Sequence, residues 1–289
     1  MLSILIPIYN FDVRFLVEPL YMQATELGIP FEILLMDYAS WESFRTANQT
    51  LVFFSSIRYF QLRKNVGRAK IRNLLAEKAS FENLLFLDCD VEIASTSFLK
   101  NYMQLIYDYQ IVSGGHIYSN EIPGDDAFFL HWNYGRYREA ESVNFMSSNF
   151  MLKHSLWEKF KFDERITRYG HEDTLFQIEL LRQGITIQRI DNPVLHIGLN
   201  TNRVFMQKME EYVRNALYIQ REGLIKENEV VHIRLLHTYR KLKRFGLRRL
   251  LAFFFLQKKY SLRRNLMGLN PSLSKLDLYK LLFLAYIDE

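Results

Sequence analysis

The sequence predicts an α/β protein, a mostly parallel sheet covered by helices on both faces, followed by a helical C-terminal region. Three observations carry this. Through the first 115 residues, short apolar runs alternate with amphipathic stretches. The more buried runs are continuous rather than alternating, as strands covered on both faces must be. From about residue 202 onward the pattern is helical, with Lys and Arg concentrated after residue 233. With 289 residues, 49% hydrophobic and 24% charged, the chain has room for one large α/β domain plus an appendage, or for two modest domains. The stretch from Gly198 to Asn202 is the expected boundary, giving domains 1–200 and 201–289.

In chain order, SILIPI, FEILLMD, IRYFQL, NLLFLD and QIVSGG read as strands. Helices are expected between them at about 14–28, 41–50, 68–79 (RAKIRNLLAEKA) and 97–108. This β-α-β-α order is what a parallel sheet wound on both faces requires. Residues 116–142 lack a clean period and are rich in aromatic and charged side chains, which suits an active-site or acceptor-facing loop region. VNFMSSNFMLK (143–153) reads as a strand returning to the sheet. A short helix and a loop follow, then a longer helix at about 172–183 that Gly184 stops. The strand ITIQRI and a His-bearing loop complete this part.

Composition narrows the function classes. One cysteine, Cys89, excludes an intrachain disulfide and any metal site built from several thiolates, and it suits a reducing compartment. The apolar start LSILIPIY is too short for a signal peptide, lacks a basic leader and contains Pro7. No stretch approaches the ~20 apolar residues of a membrane-spanning helix. A cytoplasmic protein is expected, with peripheral contact at the inner face of the membrane. Net charge is +5 but unevenly spread: from Val230 to Leu276 there are twelve Lys or Arg and no Asp or Glu, whereas residues 1–229 carry a small acidic excess.

Three places carry chemistry. In NLLFLDCDVE, an apolar strand ends in Asp88 and Asp90, an i, i+2 pair on one face of an extended chain. Side by side without a cation they repel. One can ligate a hard Mg²⁺ or Mn²⁺ ion while the other binds a sugar or ligates through water; two solvated loop acids are the plainer alternative. Asn10 and Asp37 also end apolar runs, and ligands of such sheets sit beyond the carboxyl ends of the strands. In TRYGHEDTLFQIELLRQG, Glu172 and Asp173 open a helix. They either serve its positive end or, placed at a crevice behind Gly170, supply a general base. His196 in NPVLHIGLN could complete a metal site begun by Asp90. Cys89 reads as a small packing residue, not a nucleophile.

SILIPIYN, EILLMDYAS, KNVGRAKIRN, LLFLDCDVEI and YGHEDTLFQIELLRQG together resemble the family 2 glycosyltransferases of the GT-A fold. FDERITRYGHEDTLFQIELLRQGI with His196 also resembles the C-terminal half of galactosyltransferase-type domains. The resemblance covers roughly residues 1–200 and implies a GT-A-like nucleotide-sugar-binding and catalytic domain. It implies that Pro7, Tyr9 and Asn10 lie at the nucleotide pocket, that Asp37 contacts base or ribose, and that Arg68 flanks the uracil site. Asp88 and Asp90 match the D-x-D motif, Asp88 on the donor and Asp90 as direct metal ligand, with His196 a third metal-site position. Asp173 matches the catalytic base, and Glu172 a contact to donor or acceptor sugar. The implied reaction is inverting transfer from a nucleotide sugar to a glycan or lipid-linked saccharide in surface polysaccharide synthesis. The chain departs from the family at Tyr38 and Ala39, where a second Asp and a Gly are common.

In YRKLKRFGLRRLLAFFFLQKKYSLRRNL (239–266), basic pairs alternate with Leu and Phe. This suits a helix on an anionic membrane surface, or equally one whose apolar residues pack on the catalytic domain. No nucleic-acid motif accompanies the basic residues, so nucleic acid is disfavoured. Two alternatives to a transferase of sugars stand. A nucleotidyltransferase would show a Gly-rich phosphate loop that SILIPIYNFD lacks. A non-catalytic nucleotide- or glycan-binding relative is suggested by the altered loop after Asp37, but the presence of Asp90 and Asp173 argues against it.

Overall fold

The computed structural model describes residues 1–142 and 144–288. In chain order the elements are β1 (Leu2–Ile8), α1 (Arg14–Glu26), β2 (Phe31–Tyr38), α2 (Glu42–Gln49), β3 (Ile57–Leu62), α3 (Arg68–Glu77), β4 (Asn83–Leu87) and β5 (Val91–Ile93). There follow α4 (Phe98–Met103), β6 (Ile111–Ser113), β7 (His116–Tyr118), α5 (Phe129–Tyr134), β8 (Asn149–Lys153), α6 (His154–Lys159) and α7 (Glu172–Arg182). The chain continues through β9 (Gln188–Arg189), β10 (Val194–His196), α8 (Asn202–Arg221), α9 (Arg234–Arg244), α10 (Arg248–Leu266) and α11 (Leu273–Ile287). Two compact units form. The first takes residues 1–118, 145–167 and 179–198, the second 119–144, 168–178 and 199–289.

The first unit is built on a seven-stranded sheet in the order β3-β2-β1-β4-β8-β6-β9. The strands β3, β2, β1 and β4 run parallel, β8 runs antiparallel to both its neighbours, and β9 pairs parallel to β6. The sheet is therefore mostly parallel with one reversed strand, as the alternation of strands and helices predicts. All seven residues of β1 and all five of β4 are buried, which accounts for sequences that are apolar except at Ser3 and Asn83. On α1, Leu16, Val17, Leu20 and Ala24 form the buried stripe. Across β4 and β8, Phe86 and Phe150 are register partners with rings stacked at 4.8 Å. A second sheet, β5-β10-β7, has three short strands and matters for the site.

Several elements are shorter than the sequence suggests. The helix expected at 97–108 ends at Met103, because the backbone then tightens to i→i−3 bonds such as Leu105 N–H to the Tyr102 carbonyl. That change keeps Ile106 in the core while Tyr107 points to solvent. The strand expected over 143–153 is confined to β8; Val143 lies outside the described residues, and Ser148 instead lends its carbonyl to the Asp88 N–H. Only Gln188 and Arg189 of ITIQRI enter a ladder. The aperiodic stretch 116–142 holds β7, α5 and a π-helical turn at Gly135–Glu139.

In the second unit α8 is capped by the Thr201 hydroxyl, and it buries Phe205, Met206, Met209, Val213, Ala216 and Ile219. Asn202 accepts from the Leu130 N–H and donates to the Asp126 carbonyl, tying α8 to α5. Phe255 of α10 packs among Tyr279, Phe283 and Tyr286 of α11. Arg221, Tyr239 and Lys243 converge on Asp288. Among the described residues no helix is long and apolar enough to cross a membrane.

Candidate active site

The first unit gathers polar groups where β1, β2 and β4 end. Asp88 follows directly on β4, and both its oxygens are held: Oδ1 by Arg72 Nη2 at 2.6 Å and Oδ2 by Arg68 Nη2 at 3.0 Å. The two arginines lie one turn apart on α3, so they project from the same face. Gly67, at φ +83°, opens that helix, and a side chain there would press on the Thr167 backbone. The Arg72 side chain is only 1% exposed, lies over the Phe162 ring and also donates to the Ser147 carbonyl. Burial alone would raise the Asp88 pKa, but the charges of Arg72 and Arg68 outweigh it and hold the carboxyl below its usual range.

Asp90, two residues on, has different company. Its Oδ1 lies 3.8 Å from His196 Nδ1, and its carbonyl accepts from the Ile197 N–H at 2.9 Å. The three-stranded sheet makes this pairing. His196 ends β10 opposite Val91 of β5 on one side and Tyr118 of β7 on the other. The Tyr118 ring sits 4.9 Å from the imidazole, and His116 on the same strand meets Ser148 Oγ at 3.1 Å. Gly198 closes the arrangement: a Cβ at this position would collide with Cβ and Oδ2 of Asp90. A carboxylate and an imidazole suit a divalent ion that takes its remaining ligands from phosphate and water. Among the described residues no group of three or more acid, His or Cys side chains gathers for a metal. Protein ligands alone would therefore leave most of the coordination sphere to a bound diphosphate and water.

The ends of β1 and β2 are tied by a small polar network. Asp37, fully buried, accepts from the Ser40 N–H at 2.8 Å and the Tyr59 hydroxyl at 3.2 Å. Ser40 Oγ accepts from the Asn10 N–H, and Asn10 Oδ1 accepts from the Trp41 N–H, both at 2.8 Å. Asn10 and Ala39 both take left-handed φ, +50° and +75°. Tyr9, half exposed, stacks on Tyr38 at 5.2 Å, and Pro7 pairs in register with Met36 behind them. Burial, then the Asp90 charge, pushes the Cys89 thiol far above its ordinary range, so it stays neutral.

Glu172 and Asp173 lie in the second unit, in the first turn of α7. Glu172 is buried, and Asp173 Oδ1 accepts from the Thr174 N–H at 2.7 Å. The turn before them is clamped from α8. Asn215 Nδ2 donates to the Tyr169 and Gly170 carbonyls at 3.1 and 3.0 Å, and the His171 ring packs at 3.9 Å from that of Tyr212. Gly170 has φ +95°, and a side chain there would strike Tyr212. His171 itself has φ +73° and is buried, which pushes its pKa down to about 3.

Of the residues singled out from sequence, the structure joins Arg68 to Asp88, Asp90 to His196, and Asn10 to Asp37 through Ser40. Tyr9 meets Tyr38, and Glu172 with Asp173 forms a separate pair in the second unit. Arg72, His116, Tyr118 and Gly198 are additions. The i, i+4 spacing of Arg68 and Arg72 was the one available signal for the first; nothing local marks the others.

The fold is that of the GT-A glycosyltransferases. More narrowly, the chain belongs to glycosyl transferase family 2, whose sequence model matches residues 3–213, and it is a glycosyltransferase. No curated protein sequence matches it. Solved structures that it resembles include mannosyltransferase PcManGT from Pyrobaculum calidifontis, in complex with GDP-Man and Mn²⁺. That pair aligns at 15% identity and TM-score 0.60 over 97% of this chain and 85% of the other. TarS 1–349 from S. aureus in complex with UDP aligns at 16% and 0.53, over 99% and 91%. Glucosyl-3-phosphoglycerate synthase from Mycobacterium tuberculosis, with Mn²⁺, UDP and phosphoglyceric acid, aligns at 14% and 0.52, over 78% and 80%. Membership of this family sets aside the nucleotidyltransferase alternative.

Proposed function

We propose that the enzyme is an inverting, metal-dependent transferase that moves a sugar from UDP to a hydroxyl of a glycan or lipid-linked saccharide. Its place would be surface polysaccharide synthesis in the cytoplasm, at the inner face of the membrane. The Asp90–His196 pair with its Gly198 cradle is the observation that carries this reading. The Mn²⁺ and the nucleotides held by PcManGT, TarS and glucosyl-3-phosphoglycerate synthase support a nucleotide sugar and a divalent ion. Galactose or an N-acetylhexosamine is the transferred sugar by resemblance.

Asp90 and His196 would hold Mn²⁺ or Mg²⁺, which when bound supplies charge neutralisation for the departing diphosphate. Asp88, locked by two arginines, serves the donor by aiming the part-exposed Arg68 guanidinium rather than by offering an open carboxylate. Pro7, Tyr9, Asn10 and Asp37 shape the nucleotide pocket, with Asp37 acting through the Ser40 and Asn10 loop it organises. Asp173 takes the proton of the acceptor hydroxyl as general base, and Glu172 beside it contacts donor or acceptor sugar. With Asp173 as base and the Cys89 thiol held neutral, no side chain is assigned as a covalent nucleophile, and the reading is inversion.

Calorimetric titration of UDP with Mn²⁺ present, then with chelator, tests the donor site. Binding should need the metal and should vanish in Asp90→Ala. Asp173→Asn should keep UDP binding and lose transfer. UDP binding indifferent to chelator, or transfer unchanged in both variants, overturns the proposal.

A further inference from the structure

The basic C-terminal segment takes no part in this chemistry, and its longest helix has an unusual outer face. α10 has 19 residues, about 28 Å at 1.5 Å per residue. Phe255, Leu262 and Leu266 are its buried residues. Leu250, Phe253, Phe254, Leu256 and Tyr260 remain exposed, Phe253 at 55% and Tyr260 at 73%. At 100° per residue these five side chains form one continuous stripe along the helix. Phe245, just before the helix begins, is 80% exposed as well. Contiguous exposed aromatics of this kind mark a partner surface.

The charges around the stripe say which partner. Arg249 and Arg264 sit near its two ends and Lys258 along its edge, all exposed. Other cations of the region are matched internally: Arg263 with Glu210, Arg240 and Arg244 with Glu227, Lys243 with Asp288. Arg249, Lys258 and Arg264 have no acid partner among the described residues, and no acid occurs between Val230 and Leu276. A second copy of the chain would set like charges against each other across the stripe. Nucleic acid would engage the cations and leave Phe and Leu in water. A surface with anionic headgroups over hydrocarbon complements both features at once.

We infer that α10 is a membrane-binding helix that lies in the plane of an anionic leaflet. Phe253, Leu256, Tyr260 and their neighbours enter the acyl boundary, and Arg249, Lys258 and Arg264 meet lipid phosphates. The surface stands on its own geometry; only its purpose, delivering the enzyme to a lipid-carried acceptor, rests on the function proposed above.

Co-sedimentation of the full chain with vesicles tests it. Vesicles of phosphatidylcholine with phosphatidylglycerol should carry the protein down, and phosphatidylcholine alone should not. The triple variant Arg249→Glu, Lys258→Glu, Arg264→Glu should bind the anionic vesicles roughly a hundredfold more weakly. Phe253→Ser with Tyr260→Ser should also release the protein, and Phe253→Trp should show a blue-shifted emission on anionic vesicles. All these residues are exposed, so unchanged melting curves will confirm that the variants fold. The inference is overturned if anionic vesicles leave the protein in solution or if both multiple variants bind as the parent does. It is equally overturned if the parent is a dimer in the ultracentrifuge that Phe253→Ser dissociates. A chain that binds UDP with metal but not vesicles overturns this surface alone; one that binds vesicles but not UDP overturns only the donor reading.

Discussion

Arg72 is buried to cancel a charge that the end of β4 cannot avoid presenting. Replacing it with Met removes the 2.6 Å partner of Asp88 and leaves a carboxylate in a poorly hydrated place. Denaturant unfolding should show a loss of about 1.5–3 kcal/mol, the scale of one hydrogen bond to a charged group, because Arg68 still holds the other oxygen of Asp88. Adding Asp88→Asn to that variant should recover much of the loss. Ala39 offers the opposite change. Its φ of +75° is costly for any side chain with a Cβ, so Ala39→Gly should stabilise the fold by about 1 kcal/mol. His171 gives a pH signature. Buried against Tyr212 and near the Lys280 charge, it titrates at about 3 in the folded chain, and at about 6.5 when unfolded. Between those values only the unfolded chain takes the proton. Stability is therefore full above the unfolded value and falls by about 1.4 kcal/mol per unit as pH drops below it. His171→Asn, which tolerates the left-handed backbone, should flatten the melting temperature between about pH 7 and about pH 5. At this scale the sequence exposes acids that end apolar runs, because a carboxylate after a buried strand is conspicuous. It hides Arg72, since RAKIRNLL reads equally well as a solvated helix face until a carboxylate from another strand arrives beside it.

The elements divide the same way between local and distant causes. β1, β2, β4 and α3 are plain in the sequence because continuous burial and helical periodicity are local properties. The truncation of α4, the late start of β8 and the short β5, β7 and β10 depend on partners far along the chain. His196 reaches Asp90 only because β10 lies between β5 and β7. The Gly198 cradle is equally a product of that sheet. Gly198→Ala should cost about 1–3 kcal/mol, because the new Cβ overlaps the Cβ of Asp90. On the function proposed above it should also weaken metal-dependent UDP binding by displacing that carboxylate, which calorimetry beside a denaturant curve would establish. In the second unit, α8 sets the geometry of the turn into α7. Asn215→Leu leaves the Tyr169 and Gly170 carbonyls without their donor and should cost about 1–3 kcal/mol. Sugar transfer should fall with it while UDP binding holds, because the disturbed acids are Glu172 and Asp173.

At the scale of the whole chain, neither unit is a single stretch of sequence. The second unit draws on residues 119–144 and 168–178 as well as on everything after Gly198. Leu130 is bonded to Asn202, and the 169–171 turn is held by Tyr212 and Asn215. A chain cut after Gly198 should therefore expose apolar side chains of α5 and α7 and aggregate, as light scattering would show; a soluble, cooperatively melting fragment would contradict this. The interleaving also gives biosynthesis a timetable. Residues 119–144 leave the ribosome before the helices that cover them exist. At typical elongation rates the roughly ninety residues that follow Gly198 take about 5–20 s to be made. For that interval the nascent chain carries an unfinished second unit beside a first unit whose strands are all present. Its yield in a cell should then depend on helpers that shield apolar segments during synthesis, more than its finished stability would suggest.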